Sequence, residues 1–315
     1  MQITSQLLMI RPGAFGFNKE TAVNNAFQKM NVDWNVNEKA QQEFDQMTDL
    51  LRYNKIDVHI IQDRAQPYTP DAVFPNNWIS THPHAKAVLY PMFASNRRAE
   101  RAKGVLEALQ EQFEIVSTLD LTGYEEEGYF LEGTGSMVLD RLNQRAYACI
   151  SPRTSARVLY DFCEALDFTP VIFDATDRNG TPVYHTNVMM SVADDYAIIA
   201  QDTIKDRSQR YLVLQSFLKA RKEIVFISLE QMEHFAANAL QVKSTDGQRF
   251  LVMSEAGYRS LSRQQRKQIE KFNPILHSPL DTIEQNGGGS ARCMIAEIFL
   301  PQHAGEQEAD RHELL

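Results

Sequence analysis

Polar residues and glycines interrupt strand-like apolar runs of this chain at a nearly constant interval, which restricts the folds open to it. Asn77 in AVFPNNWIST, Glu132 ahead of GTGSMVLD and His185 ahead of TNVMMSVA stand 55 and 53 residues apart. Cys293, in NGGGSARCMIAEIFLP, lies 108 residues beyond His185, or two further steps of 54. The skipped step falls near residue 239, within Asn238-Ala-Leu-Gln-Val, again a small polar lead into an apolar run.

One order of elements recurs around these points: strand, turn, strand, amphipathic helix, strand. The second unit reads AVFPNNWIST, KAVLYPM, the helix NRRAERAKGVLEALQEQF and EIVSTL; the third GSMVLD, RAYACIS, TSARVLYDFCEALD and TPVIFD. NVMMSVA, YAIIAQ, DRSQRYLVLQSFLKAR and EIVFIS form a fourth, and RFLVMSE, LSRQQRKQIEKF and NPILHS a fifth. LLMIRP, NEKAQQEFDQMTDLLRY and DVHIIQD form the first, a partner unit that closes the set. Apolar periods near 3.6 mark the helices and short Val/Ile-rich runs the strands. Asn96 and the Ser151-Pro-Arg-Thr turn supply helix starts. Repetition of one such unit predicts a radial or closed α/β array spanning residues 1–301 as a single domain, followed by a polar tail at 302–315. A doubly wound nucleotide fold is the competitor, but neither G-x-G-x-x-G after an early strand nor G-x-x-x-x-G-K-[ST] occurs.

A net charge of −9 and a pI near 5.4 argue against nucleic acid or an anionic membrane as the main partner. A small zwitterionic or cationic substrate is compatible with them, and so is a homo-oligomer. The sequence has no apolar run near the roughly 20 residues needed to cross a bilayer and no basic leader, so a cytoplasmic location is expected. Cys149, Cys163 and Cys293 are odd in number and contain no C-x-x-C pair, so neither a zinc site nor a disulfide framework is expected. Cys149 in AYACI and Cys163 in LYDFCEAL read as buried, inert thiols. His82-Pro-His84 reads as a solvated loop and not as a metal pair. No metal or cofactor is expected.

If every unit reaches the fold at the same place, Glu132, His185 and Cys293 meet on one axis. Such a trio has a chemistry. A thiolate is a strong nucleophile, stabilised by nearby positive charge. A histidine can protonate a leaving nitrogen and then activate water. The carboxylate can hold a substrate nitrogen or orient the histidine. Glycines ahead of Cys293 let backbone approach a substrate and offer N–H groups to developing charge. Taken singly, each residue has an ordinary structural role: Cys293 as a small packed side chain, His185 as a satisfied core histidine. Glu132, between Phe130-Leu131 and glycines, is harder to accommodate that way, because an unpaired buried carboxylate is costly.

These segments resemble the guanidino-group-modifying enzymes of the pentein, or amidinotransferase, superfamily over residues 7–301. The superfamily includes arginine deiminase, dimethylarginine dimethylaminohydrolase, succinylarginine dihydrolase and glycine amidinotransferase; the whole pattern is most similar to its citrulline-utilisation hydrolases. The resemblance implies a five-bladed α/β propeller of pseudo-repeated ββαβ units. It also implies Cys293 as nucleophile, His185 as general acid/base and Glu132 as the catalytic acidic residue. PDAVFPNNW resembles the family strand that carries substrate-binding carboxylates. Asp71 keeps the first of these, while Asn76 and Asn77 replace the following acidic pair. Asn96-Arg97-Arg98 and Ser151-Pro-Arg153 resemble segments supplying arginines for a substrate carboxylate, with either Arg97 or Arg98 turned inward.

The Asn76/Asn77 pair bears on the substrate. A guanidinium is a cation well met by carboxylates, whereas a ureido group is neutral, with a carbonyl acceptor and N–H donors. An asparagine amide complements both of the latter. The expectation is therefore a cofactor-free, cysteine-dependent hydrolase of C–N bonds in a small amino-acid substrate, with citrulline favoured over arginine. An amidinotransferase or an arginine deiminase-type activity is the alternative. A non-catalytic binding protein of the ribosomal anti-association type, which shares the propeller, is a reading from another class.

Overall fold

The computed structural model describes residues 1–30 and 35–303 of the chain. Of the tail expected at 302–315, residues 304–315 lie outside the described residues.

Among the described residues, short strands pair into five three-stranded sheets with one connectivity. β1 (Gln6–Arg11) runs parallel to β2 (Asp57–Gln62), with the helix Val36–Tyr53 crossing between them. β3 (Ile79–His82) is antiparallel to β4 (Lys86–Leu89), which is parallel to β5 (Ser117–Asp120). The same pattern joins β6 (Val138–Asp140), β7 (Arg145–Cys149) and β8 (Thr169–Phe173). It recurs in β9 (Met190–Val192), β10 (Tyr196–Ile199) and β11 (Glu223–Phe226). β12 (Leu240–Lys243), β13 (Arg249–Ser254) and β14 (Ile275–Ser278) follow it too. The first sheet acquires its antiparallel strand from the far end of the sequence, where β15 (Ala296–Glu297) pairs with Leu7 and Leu8. The partner unit is thus completed by the chain segment that carries Cys293.

The element order follows from burial. Central strands such as β10, YAII, are buried at every position, so both faces read apolar. The helix Val36–Tyr53 buries Ala40, Phe44, Met47 and Leu51 on one face, as an amphipathic helix against a sheet must. Helix Arg207–Lys219 is capped by Asp206, whose carboxylate accepts from the Ser208 and Gln209 amides. Helix Arg263–Glu270 opens with a Ser262/Gln265 capping box.

Two expectations need correction. The sequence places the first strands of units two to four over 72–81, 135–140 and 187–193; the leading parts of these runs instead belong to single turns, Pro75–Asn77, Gly133–Ser136 and Thr186–Met189, ahead of β3, β6 and β9. Buried polar side chains there bond locally and compete with ladder pairing: Asn77 Nδ2 donates to Asn76 Oδ1 at 3.0 Å and Ser136 Oγ accepts from Glu132 N at 2.9 Å. The continuous helix expected over 96–113 is broken into Ser95–Arg98, a 3-10 turn and Val105–Gln112. Gly104, at φ +80°, ends the first part, beside Lys103, whose buried ammonium binds Asp63 at 2.7 Å.

Adjacent sheets are tied by polar side chains. Thr81 Oγ1, on β3, donates to Glu297 O at 2.9 Å and accepts from Phe299 N at 2.8 Å. Gln2 Nε2 bridges the carbonyls of Leu139 and Val192, joining the third and fourth sheets. Among the described residues no helix is long and apolar enough to cross a membrane.

Candidate active site

Each sheet delivers one polar residue from the segment just ahead of its antiparallel strand: Asn77, Glu132, His185, Asn238 and Cys293 precede β3, β6, β9, β12 and β15. All five are buried. Asn77, His185 and Cys293 line one cavity together with Asp71, Arg97, Arg153, Tyr184 and Gly287–Gly289. Larger surface hollows, such as that around Glu230, His234 and Arg259, bring together none of these residues.

Glu132 is fully buried, and each of its oxygens is engaged. Oε1 accepts from Phe93 N at 3.0 Å, and Oε2 accepts from His185 Nε2 at 2.7 Å, with Arg153 at 3.5 Å. Burial alone raises the carboxyl's pKa, but Arg153, the His185 bond and Arg97 together outweigh it and hold Glu132 at about 2. Burial pushes His185 down to about 4 against the pull of Glu132, with Arg153 and Arg97 adding to the depression. The pair at neutral pH is therefore carboxylate and neutral imidazole. Glu132 fixes Nε2 as the protonated nitrogen and leaves the Nδ1 lone pair to accept a proton. Glu132 does not line the cavity, so of the two roles open to it the arrangement fits orienting the histidine. Gly135 lies against the ring: a Cβ there would stand 2.7 Å from Nδ1.

Cys293 sits in a turn closed by its N–H donating to Ser290 O at 2.9 Å, ahead of β15. The residue is 3% exposed, and its sulfur accepts from Asn187 Nδ2 at 3.4 Å and Asn238 Nδ2 at 3.3 Å. The glycines ahead of it are sterically required. Gly288 has φ +65°, and a Cβ on Gly287 would meet the Phe74 ring at 2.7 Å. Cys149 and Cys163 lie apart from the cavity, and burial pushes both thiols up to about 12, in keeping with inert core residues.

The expected substrate-binding residues divide. Asp71 is buried on the cavity wall; Oδ2 accepts from Asn18 Nδ2 at 2.7 Å and Thr21 Oγ1 at 3.2 Å, while Oδ1 has no hydrogen-bond partner among the described residues. Burial raises its pKa in spite of Arg97. Asn77 lines the cavity, with Oδ1 accepting from Arg97 at 2.6 Å. Asn76 does not: it stands behind Asn77 and bonds Thr134. Of the two arginines, Arg97 points inward and grips Glu100 through Nε at 2.8 Å and Nη2 at 3.0 Å while holding the Phe74 carbonyl. Arg98 turns away to the carbonyl of Met92 and to Glu125. Arg153 lines the cavity, bonds Thr21 O and Asn24 and lies over the Tyr184 ring.

Several contributors were not foreseen. Asn18, Thr21, Asn24 and Asn25 come from a segment without period or motif, yet Thr21 and Asn25 line the cavity while Asn18 and Asn24 bond its Asp71 and Arg153; Asn25 Nδ2 reaches Gly288 O at 3.3 Å. Asn238 falls on the skipped step of the repeat, and that spacing was its signal. Asn187 lies two residues after His185 in the same turn, where only the turn's geometry assigns it to the sulfur. Of the expected His82-x-His84 loop, His84 is exposed, but His82 is buried and bonded to Ser80.

The sequence pattern of a family described as N,N dimethylarginine dimethylhydrolase, eukaryotic, matches residues 11–300. Among curated proteins no sequence matches. Among solved structures, the substrate-bound N-terminal domain of a mutant ArgZ, an arginine dihydrolase of the ornithine-ammonia cycle in cyanobacteria, is similar at TM-score 0.74 and 17% identity, over 94% of this chain and 98% of that domain. Against the whole apo ArgZ chain the alignment covers 41% of the relative. A dimethylarginine dimethylaminohydrolase in adduct with S-methyl-L-thiocitrulline is similar at TM-score 0.62 and 12% identity, over 94% of this chain and 100% of that one. At these identities the likeness is one of fold.

Proposed function

The chain belongs to the N,N dimethylarginine dimethylhydrolase family of the pentein superfamily, and from that premise we propose that it is a cysteine-dependent hydrolase of the guanidino or ureido C–N bond of an arginine-like or citrulline-like amino acid, with citrulline hydrolysis to ornithine favoured. One observation carries the reading: Cys293, the Glu132-oriented His185 and Asp71, whose Oδ1 has no hydrogen-bond partner among the described residues, line or adjoin one buried cavity.

Cys293 sulfur attacks the planar carbon as its proton passes to His185 Nδ1. His185 then hands that proton to the departing nitrogen, leaving a thiocarbamate from a ureido substrate or a thiouronium from a guanidino one. Water activated by His185 attacks the adduct carbon, the C–S bond breaks and the thiol is restored. Asp71 Oδ1 accepts a substrate N–H. Arg97 and Arg153 present positive charge to the substrate carboxylate.

The ureido preference rests on Asn77. One Nδ2 hydrogen serves Asn76, and the other is available to a ureido oxygen, which a carboxylate at this position would repel. The free Asp71 oxygen favours a second reading, a guanidinium substrate, as in the arginine dihydrolase relative. The five sheets of like connectivity, the first completed by β15, support reading residues 1–301 as a single five-bladed α/β propeller.

The test is incubation of the purified protein with citrulline, arginine, methylated arginines and succinylarginine, following ornithine, citrulline and ammonia. Ornithine from citrulline, lost in Cys293→Ser, is the expected result. Turnover of arginine but not citrulline contradicts the ureido preference.

A further inference from the structure

The depressed His185 leaves the sulfur's negative charge to be stabilised by some other group. An imidazole held near 4 accepts the thiol proton only uphill and carries no standing positive charge to offset a thiolate. Yet the sulfur is buried, where an uncompensated anion is costly. The donors that touch it are two carboxamides from neighbouring repeats, Asn187 Nδ2 at 3.4 Å and Asn238 Nδ2 at 3.3 Å.

The Asn238 amide cannot be turned round. Its Oδ1 accepts from the Arg292 backbone N–H at 3.1 Å, and its Nδ2 also donates to the Asn187 carbonyl at 3.1 Å. Both bonds reverse sign if oxygen and nitrogen exchange, so an N–H necessarily faces the sulfur. A neutral thiol uses its one hydrogen as a donor and is a weak acceptor, whereas a thiolate accepts from several sides. The Asn238 N–H, fixed in this orientation, is thus complementary to the anion, and Asn187 Nδ2 meets it from a second side, its own Oδ1 having no hydrogen-bond partner among the described residues. The charged and titratable groups on the cavity side of Cys293 are Tyr184, His185, Asp71, Arg97 and Arg153. Arg292, next in sequence, turns its guanidinium away to Glu297 at 2.7 Å.

We propose that Asn187 and Asn238 form a carboxamide clamp that stabilises Cys293 as a thiolate, supplying by hydrogen bonding what the neutral histidine does not supply by charge. The clamp deepens the hydrolase reading and rests on Cys293 as its nucleophile. No bond is made or broken at either asparagine; the thiol proton passes to His185 Nδ1 and from there to the departing nitrogen, and the two N–H donors remain on the sulfur until it attacks.

The test is the pH dependence of iodoacetamide alkylation at Cys293, localised by peptide mass spectrometry, in wild type, Asn187→Ala, Asn238→Ala and Asn238→Asp. Loss of one donor is expected to move the alkylation midpoint up by about one pH unit, the scale of a hydrogen bond to a charged group. Asn238→Asp keeps the acceptor for Arg292 and replaces the donor by a repelling oxygen, so its midpoint should rise further. It also decides the matter if the alanine variant does not fold. Midpoints equal to wild type in Asn187→Ala and Asn238→Asp overturn the clamp. Turnover surviving in Cys293→Ser overturns the hydrolase reading instead, and alkylation still reports on the clamp.

Discussion

Two displaced pKa values, those of Glu132 and His185, set the chemistry of single residues at the site. Glu132 at about 2 and His185 at about 4 both lie below their ordinary values, so the unfolded chain binds more protons than the folded one as pH falls. His185 contributes stability above about 6.5 that is lost as pH drops toward 4; Glu132 contributes stability above about 4.5 that is lost toward 2. Because catalysis needs Nδ1 unprotonated, the acid limb of kcat/KM is expected near pH 4. A limb near 6.5, the value of an unperturbed histidine, would contradict the assigned pair. Much of this set was legible in advance, because Glu132, His185 and Cys293 sit at one repeat position. Which arginine turns inward was not: Arg97 and Arg98 are adjacent on one short helix, and only the packing of Glu100 and the Phe74 carbonyl selects between them.

Among the elements, the short turns ahead of β3, β6 and β9 place the chemistry, and glycine makes one of them fit. Gly135 backs His185 so closely that a methyl group would overlap Nδ1. Gly135→Ala, although alanine favours helix, is expected to displace the imidazole and lower kcat/KM by about 10²-fold, the cost of a misplacement near 1 Å. Unchanged kinetics would show that the ring is not held by this turn. Sequence alone assigns parts of these turns to strands because they run directly into short apolar stretches. Other side-chain bonds of these turns reach partners about 50 residues away, Thr186 Oγ1 to Ser136 O among them, and one-dimensional periodicity carries no such information. The helix Val36–Tyr53 was plain because its apolar face spans five turns.

For the whole molecule, the repeat marks the three-stranded sheets of like connectivity, whereas the seams between them carry no sequence signal. Thr81 joins the β3 sheet to the segment around β15, satisfying both Glu297 O and Phe299 N. Thr81→Val should leave both groups unpaired and cost about 1–3 kcal/mol, read as a lower urea midpoint at unchanged slope. A midpoint equal to wild type would mean that this seam carries no stability. The segment over the cavity, with Asn18, Thr21, Asn24 and Asn25, escaped sequence reading because it lies outside the repeat. The central claim is that Cys293 becomes covalently bonded to the substrate's planar carbon. Peptide mass spectrometry of protein acid-quenched during citrulline turnover tests it directly. The account predicts a substrate-derived adduct on the peptide containing Cys293, absent in Cys293→Ser; ornithine release at full rate from Cys293→Ser, with no adduct in either protein, would contradict it.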